Sequence, residues 1–221
     1  MKKSLFAVLL LCLGSLSLYA QINATKEEYA VYAFAIGEIN RESRRQQQIE
    51  SSFEIRPRLI ESSFVILEET LLPPYNPNVD EIRKIKGLGE DFRRKNQTSI
   101  RLKKQFPIRF NHKVVSKSEI DELLAVGQVR WNRIDEDEKR SNSEARSCCP
   151  SDVIWKPFYE RYPKAQGYYQ FSRVGFSKRR NFALVQVEKI TGSSSGIMNY
   201  VLRKEAGNWQ LYLAFGGGSV A

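Results

Sequence analysis

Residues 155–215 read WKPFYERYPKAQGYYQFSRVGFSKRRNFALVQVEKITGSSSGIMNYVLRKEAGNWQLYLAF, and this stretch decides the fold class of the chain. Its first residues predict a short aromatic helix, and the remainder contains four β-rich runs of alternating side chains. Short loops at residues 177–181, 191–196 and 205–208 separate the runs. Strands joined by such loops pair as antiparallel neighbours. The stretch therefore predicts a four-stranded antiparallel meander.

The chain before this stretch predicts further helices. Thr25 and Glu28 match a capping box, and the apolar stripe that follows them indicates an amphipathic helix. Apolar residues at helical spacing predict a second helix over residues 79–95, which Gly87 and Gly89 interrupt. Ser116 repeats the capping pattern and predicts a short third helix that ends near Leu124.

Two apolar segments predict additional strands. Residues 64–67 read FVIL, which is typical of a buried strand, and residues 110–115 form a second such segment. Together with the meander, these elements predict an α+β domain. We expect an antiparallel sheet of about five strands, packed against two or three helices.

The first twenty residues have the features of a secretory signal peptide. Lys2 and Lys3 precede an apolar run over residues 5–13, and Leu18-Tyr19-Ala20 follows it. Cleavage is expected between Ala20 and Gln21, which would leave residues 21–221 as a single domain. The apolar run is too short to span a bilayer, and no later segment is long and apolar enough. The sequence thus predicts an exported protein, periplasmic or extracellular, without a transmembrane segment.

Residues 132–151, NRIDEDEKRSNSEARSCCPS, are charged and contain almost no apolar side chains. This composition predicts a polar surface insertion in the domain. Its adjacent cysteines, Cys148 and Cys149, would form only a strained disulfide bond. Because His112 is the only histidine, we expect neither a metal site nor a cofactor, and we expect His112 to have a structural role.

The positive charge of the chain is concentrated in one region. The formal net charge is +10, and residues 83–113 contain eleven Lys and Arg against Glu90 and Asp91. Such a basic band is consistent with weak, salt-sensitive contact with an anionic surface, either membrane lipid or nucleic acid. It is also consistent with a solvated helix face, since aromatic residues do not alternate with the charges.

Catalytic motifs do not stand out in the sequence, and no catalytic residue is predicted. Five polar residues are instead candidates for binding a ligand, because they lie among apolar neighbours and need partners if buried: Arg173, Ser172, Asp91, Asn96 and Tyr200. Arg173 is expected to pair with Asp91 and to bind an anionic ligand through its guanidinium group. The alternative is that Arg173 only stabilises the sheet.

A set of short motifs resembles a family of exported bacterial proteins with a characteristic C-terminal signature. The signature comprises Phe158-Tyr159, Tyr162-Pro163, Gly167, FSRVGF at 171–176, ALV at 183–185 and GNW at 207–209. The resemblance extends over most of residues 21–221, although the loop 191–196 lacks the cysteine often found in that family. It implies an exported protein of this architecture and implies no particular reaction.

Two classes of function are consistent with these features. The first is a non-catalytic binding or envelope-associated protein. The second is a hydrolase or lyase with its site between sheet and helices, and polyanion binding through residues 83–113 is a further alternative. A cavity of several hundred Å³ beside Arg173 would favour a ligand or substrate there, whereas a filled interior would favour a structural role.

Overall fold

The computed structural model describes residues 23–51, 63–73, 77, 79–104, 106–108, 110–140 and 149–220. The predicted signal peptide lies outside the described residues. Five helices are present in the described part of the chain: α1 (Lys26–Ser51), α2 (Asp80–Lys84), α3 (Leu88–Lys95), α4 (Lys117–Arg140) and α5 (Pro150–Arg161). Its seven strands are β1 (Ser63–Leu67), β2 (His112–Val115), β3 (Ala165–Phe171), β4 (Gly175–Phe176), β5 (Phe182–Ile190), β6 (Ser194–Glu205) and β7 (Asn208–Val220).

All seven strands belong to one sheet, in the order β2-β1-β3-β5-β6-β7, with β4 paired to β5. The C-terminal strands are antiparallel neighbours, which confirms the predicted meander. The prediction of a wholly antiparallel sheet was wrong, because β1 runs parallel to both β2 and β3. The chain between these strands contains helices, and a helical crossover returns the chain in the same direction. The fold is therefore α+β with a mixed sheet.

The predicted capping box forms the start of α1. The Glu28 N–H donates a 3.2 Å hydrogen bond to Thr25 Oγ1, and the Thr25 N–H donates a 2.8 Å bond to Glu28 Oε2. The Ser116 hydroxyl likewise accepts a bond from the N–H of Glu119 at the start of α4. Both helix starts were thus correctly predicted from the sequence.

One predicted helix is interrupted as expected, and another is longer than expected. The helix expected over residues 79–95 is divided into α2 and α3 at Gly87, one of the two predicted interruptions, which adopts a left-handed conformation with φ of 81°. In contrast, α4 continues to Arg140, so residues 132–140 are helical where a polar loop was expected. Cys148 lies outside the described residues, and Cys149 is exposed with a free thiol just before α5.

The helices cover both faces of the sheet. One face packs against α1 through a core that includes Tyr32, Ile36 and Phe171. On the other face, α4 and α5 cover β1 and β3, while α2 and α3 cover Leu184 and Val201 of the meander. No helix in the described part combines the length and hydropathy that a bilayer span requires.

Candidate functional site

Four charged side chains meet between α1, α3 and the segment that links β3 to β4. The Glu28 carboxylate is fully buried, and its Oε1 lies 3.7 Å from both Lys95 Nζ and Arg173 Nη2. Lys95 Nζ lies 3.5 Å from Asp91 Oδ2. We call Glu28, Asp91, Lys95 and Arg173 the buried charge cluster. It contains two cations and two carboxylates, so its formal charge is zero.

Backbone groups of residues 172–176 hold the cluster in place. Asn96 Oδ1 accepts a 2.7 Å hydrogen bond from the Arg173 N–H, and Asn96 Nδ2 donates to the Arg173 carbonyl at 3.0 Å. Lys95 Nζ donates to the Val174 carbonyl at 2.9 Å, and the Phe176 N–H donates to Asp91 Oδ2 at 2.8 Å. The side chains of Asp91 and Lys95 in α3, together with Asn96 directly after this helix, therefore hold the segment that connects β3 to β4.

Ser172 links the same segment to the sheet. Its hydroxyl accepts a 2.8 Å hydrogen bond from the Gln186 N–H and donates to the Arg173 carbonyl at 3.1 Å. The Tyr32 hydroxyl of α1 donates to the Ser172 carbonyl at 3.1 Å. These bonds satisfy polar groups of Ser172 that folding removes from water, which indicates a structural role for this residue.

The structure brings together four of the five predicted site residues: Arg173, Ser172, Asp91 and Asn96. Tyr200 lies elsewhere, opposite Val185 in the sheet, where its pKa is raised by burial and by the carboxylates of Glu42 and Glu38. The expected partner of Arg173 was wrong, because Arg173 pairs with Glu28 and not with Asp91. Sequence reasoning assigned Glu28 only to the helix cap, and so it missed the second role of this carboxylate.

Two groups at the cluster, Asp91 and the neighbouring Tyr32, have shifted pKa values. Burial raises the pKa of Asp91. Hydrogen bonds from the Phe176 N–H and Arg94, together with the charge of Lys95, outweigh burial and lower this pKa below its usual value. Burial, and secondarily the Glu28 carboxylate, raise the pKa of the Tyr32 hydroxyl well above its usual value. Neither group is therefore suited to exchange protons near neutral pH.

Four surface cavities are lined by described residues, and Arg173 lines none of these four. Asp91 lines one of about 390 Å³ together with Arg94, Lys178 and Arg180. Glu28 and Arg173 are both buried, and of the cluster residues only Asp91 lines one of these four cavities. The geometry thus favours a structural role for the cluster as a whole.

The largest of the four cavities is an open groove of about 1180 Å³ on a different part of the surface. It lies between the first turns of α1, the segment around Phe106, and the turn that joins β6 to β7. Four aromatic side chains contribute to its apolar lining: Tyr29, Phe34, Phe106 and Trp209. Three lysines, Lys26, Lys103 and Lys204, also line it, and we call this cavity the basic groove.

Hydrogen bonds and ion pairs order the walls of the basic groove. The Lys103 N–H donates to the Tyr29 hydroxyl at 2.5 Å, which joins the segment around Phe106 to α1. Lys204 Nζ lies 3.0 Å from Glu27 Oε1 and 5.2 Å from the centre of the Trp209 ring. Arg180 pairs with the second carboxylate oxygen of Glu27.

His112 is hydrogen-bonded through both ring nitrogens. Its Nε2 accepts from the Phe106 N–H at 3.1 Å, and its Nδ1 lies 3.0 Å from the Phe110 carbonyl oxygen. Since Nε2 accepts a hydrogen bond, the ring proton is assigned to Nδ1. The histidine thus positions the segment around Phe106. Among the described residues, no three His, Cys, Asp or Glu side chains form a group that could hold a metal ion.

Two buried amides lie opposite each other on β5 and β6. Gln186 is fully buried, and neither its Nε2 nor its Oε1 forms a hydrogen bond. Asn199, its neighbour across the ladder, donates to the Phe215 carbonyl at 3.2 Å, whereas its Oδ1 has no partner. These unsatisfied groups reduce stability, because burial removed their bonds to water without replacement.

The basic band at residues 83–113 is partly neutralised within the fold. Within the described part of the band, four cations pair with carboxylates of the chain: Arg83 with Asp80, Arg94 and Lys95 with Asp91, and Arg101 with Glu68. Lys103 is the member of the band that lines the basic groove. Contact of the whole band with polyanions remains a prediction.

Comparison of the chain with protein-family models, curated proteins and solved structures found no match. The function must therefore be inferred from the geometry of the molecule itself.

Proposed function

We propose that the protein is an exported, non-catalytic binding protein of the cell envelope, and that the basic groove holds an anionic amphipathic ligand. Such a ligand has an apolar chain and a carboxylate or phosphate head group. The observation that supports this proposal is the combination of three lysines with four aromatic side chains around one cavity. Export itself is inferred from the N-terminal sequence pattern.

The charge distribution in the groove favours an anion. Glu27 is the acidic residue among the lining residues, and it is already engaged by Arg180 and Lys204. Lys26 and Lys103 form no ion pair with any carboxylate in the described part of the chain, so their charges are available to a ligand. A negatively charged head group would gain attraction without having to displace an existing partner.

The apolar lining favours a ligand with a hydrocarbon or aromatic portion. Tyr29, Phe106 and Trp209 are each less than one-tenth exposed, and they present a floor that is fixed by core packing. Tyr29 and Phe106 also contact each other edge to face at 5.3 Å between ring centres. A groove of about 1180 Å³ is at the upper end of ligand sites, which are typically about 300–1,000 Å³.

The protonation states of the lining residues favour binding over catalysis. Burial raises the pKa of Glu27, but the hydrogen bonds and charges of Lys204 and Arg180 outweigh burial and lower it below its usual value. Burial raises the pKa of the Tyr29 hydroxyl, so that this group stays protonated at neutral pH. Neither group is suited to act as a general base near neutrality.

Calorimetric titration of the protein recovered after export provides the test, with three probes that separate the two parts of the ligand. Dodecanoate has both a charge and an apolar chain, dodecanol lacks the charge, and acetate lacks the chain. We expect dodecanoate to bind at least tenfold more tightly than dodecanol, which corresponds to about 1.4 kcal/mol. Acetate should show no measurable binding.

Matched lysine variants locate the site. The double variant Lys26→Gln/Lys103→Gln should weaken dodecanoate binding about tenfold or more, since each lysine contributes part of the attraction. Lys178→Gln removes a lysine that lines the other cavity and should leave binding unchanged. The proposal would be overturned if the two variants bound dodecanoate equally well, or if the unmodified protein did not bind dodecanoate. It would also be overturned if the protein bound only heparin, a polyanion without an apolar chain.

A further inference from the structure

The two edges of the sheet differ in how they are protected from other strands. At one edge, β2 has four residues and includes His112 and Lys113, and short or charged edge strands resist pairing with foreign strands. At the other edge, β7 has thirteen residues and ends the strand order. A strand of this length extends for about 44 Å at roughly 3.4 Å per residue.

The edge strand β7 contains no charged residue: its sequence is NWQLYLAFGGGSV. Its neighbour β6, by contrast, contains Arg203, Lys204 and Glu205. Charged residues, prolines and β-bulges are the usual means by which natural edge strands avoid association. β7 has no charge and no proline, and its one such feature in the described ladder is a bulge at Tyr212.

Apolar side chains of β7 are also unusually accessible. Leu211 is 43% exposed and Tyr212 is 47% exposed, although both are large apolar residues. Leu213 and Phe215 are only partly buried against the adjacent core. Over Asn208–Gly216, where the side chains of β7 are described, Trp209 is the buried residue. The strand thus presents apolar side chains together with a backbone edge that no other described strand pairs with.

We propose that β7 pairs with β7 of a second copy of this chain, so that one sheet continues through both protomers. A two-fold axis at the sheet edge makes the two strands antiparallel and brings the same residues of each copy together. Such self-pairing is disfavoured when like charges meet, and β7 carries none. An acidic or basic partner, by comparison, would find no charge on β7 to pair with.

Among the residues of β7, only Asn208 and Trp209 at its start belong to the basic groove. Trp209 lines the groove at the start of β7, whereas Leu211 and Tyr212 are absent from its lining. The dimer proposal therefore does not depend on the proposed ligand, and either proposal can fail without the other.

Sedimentation equilibrium of the full protein over a range of concentrations tests the proposal. The unmodified protein should be a dimer that dissociates on dilution. Leu211→Lys and Ala214→Lys each place a charge in the middle part of β7, where the two-fold axis brings like charges of the two copies close together, and each should raise the dimer dissociation constant at least tenfold. Val129→Lys is the matched control, because Val129 is an apolar residue of α4 that is 53% exposed, and it should leave the dimer unchanged.

Hydrogen exchange of the unmodified protein gives a second measurement that does not depend on the folding of any variant. Amides of β7 should exchange more slowly at concentrations where the dimer forms, while amides of β2 should exchange at a constant rate. The proposal would be overturned if the protein were a monomer at every concentration, or if Leu211→Lys and Ala214→Lys left the dimer intact. It would also be overturned if the exchange rates of the β7 amides did not depend on concentration.

Discussion

Replacement of Glu28 by Gln tests whether the buried charge cluster stabilises the fold. The amide has nearly the same shape as the carboxylate, and its oxygen can still accept the hydrogen bond from the Thr25 N–H. The variant therefore removes the charge while it preserves the helix cap. Lys95 would keep Asp91 as an ion-pair partner, whereas Arg173 would lose the carboxylate with which it pairs among the described residues, which leaves one buried positive charge uncompensated.

The expected magnitude follows from the burial of the group. Glu28 is fully buried, and Lys95 and Arg173 have side chains only 14% and 10% exposed, so solvent screens their interaction weakly. Removal of one partner from a buried ion pair costs about 3–5 kcal/mol. For a domain of this size, 1 kcal/mol corresponds to roughly 2–4 °C, so the melting temperature should fall by about 10 °C.

Glu27→Gln provides the control from the same helical turn. Glu27 pairs with Arg180 and Lys204, whose side chains are 55% and 35% exposed, and surface pairs of this kind contribute only about 0–1 kcal/mol each. Thermal unfolding followed by circular dichroism should thus show a much smaller shift for Glu27→Gln. Equal shifts for the two variants would refute the idea that burial makes the cluster important.

Two further variants test packing and polar satisfaction. Gly127→Ala should lower the free energy of unfolding by about 1–3 kcal/mol or more, because its Cβ would lie 1.9 Å from the Ile154 carbonyl oxygen and would force α4 away from α5. Gly37→Ala in α1 adds a Cβ that meets no atom within 4 Å, and it should raise the free energy of unfolding by up to about 1 kcal/mol. Urea titration measures both variants, and a Gly127→Ala protein more stable than Gly37→Ala would contradict the packing argument. Gln186→Leu should be stabilising by about 1–2 kcal/mol, because it replaces a buried amide that forms no hydrogen bond, and a clear loss of stability would show that the amide is satisfied in solution.

The parts of the fold that could be predicted from sequence are those determined by local interactions. The capping boxes at Thr25 and Ser116 involve residues three positions apart, so the sequence contains the whole interaction. The meander likewise depends on strands that are adjacent along the chain. Residues 132–140 were assigned to a loop because they contain almost no apolar side chains, although their Glu, Lys and Arg residues are good helix formers and are compatible with the extension of α4.

Features that depend on distant residues were harder to predict. The parallel pairing of β1 with β3 joins segments about a hundred residues apart, and no periodicity in either segment specifies the strand direction. The need of Arg173 for a partner was predicted correctly, but the choice between Asp91 and Glu28 is made by the docking of α1 on the sheet. The residues that line the basic groove come from three segments that are distant along the chain, so no single sequence motif could predict the groove.

The first turn of α1 connects the stability of the fold with the proposed binding site. Glu27 and Glu28 are adjacent, and successive helical residues point in directions about 100° apart, so one carboxylate lies in the groove wall and the other in the interior. Loss of the Glu27 charge would release Lys204 toward the groove and remove the negative charge nearest to an anionic head group. We therefore expect Glu27→Gln to bind dodecanoate more tightly while it unfolds almost normally, and Glu28→Gln to unfold early while the folded fraction binds as before. Calorimetry below the unfolding transition of both variants separates the two effects, and weaker dodecanoate binding by Glu27→Gln would contradict the assignment of the groove as an anion site.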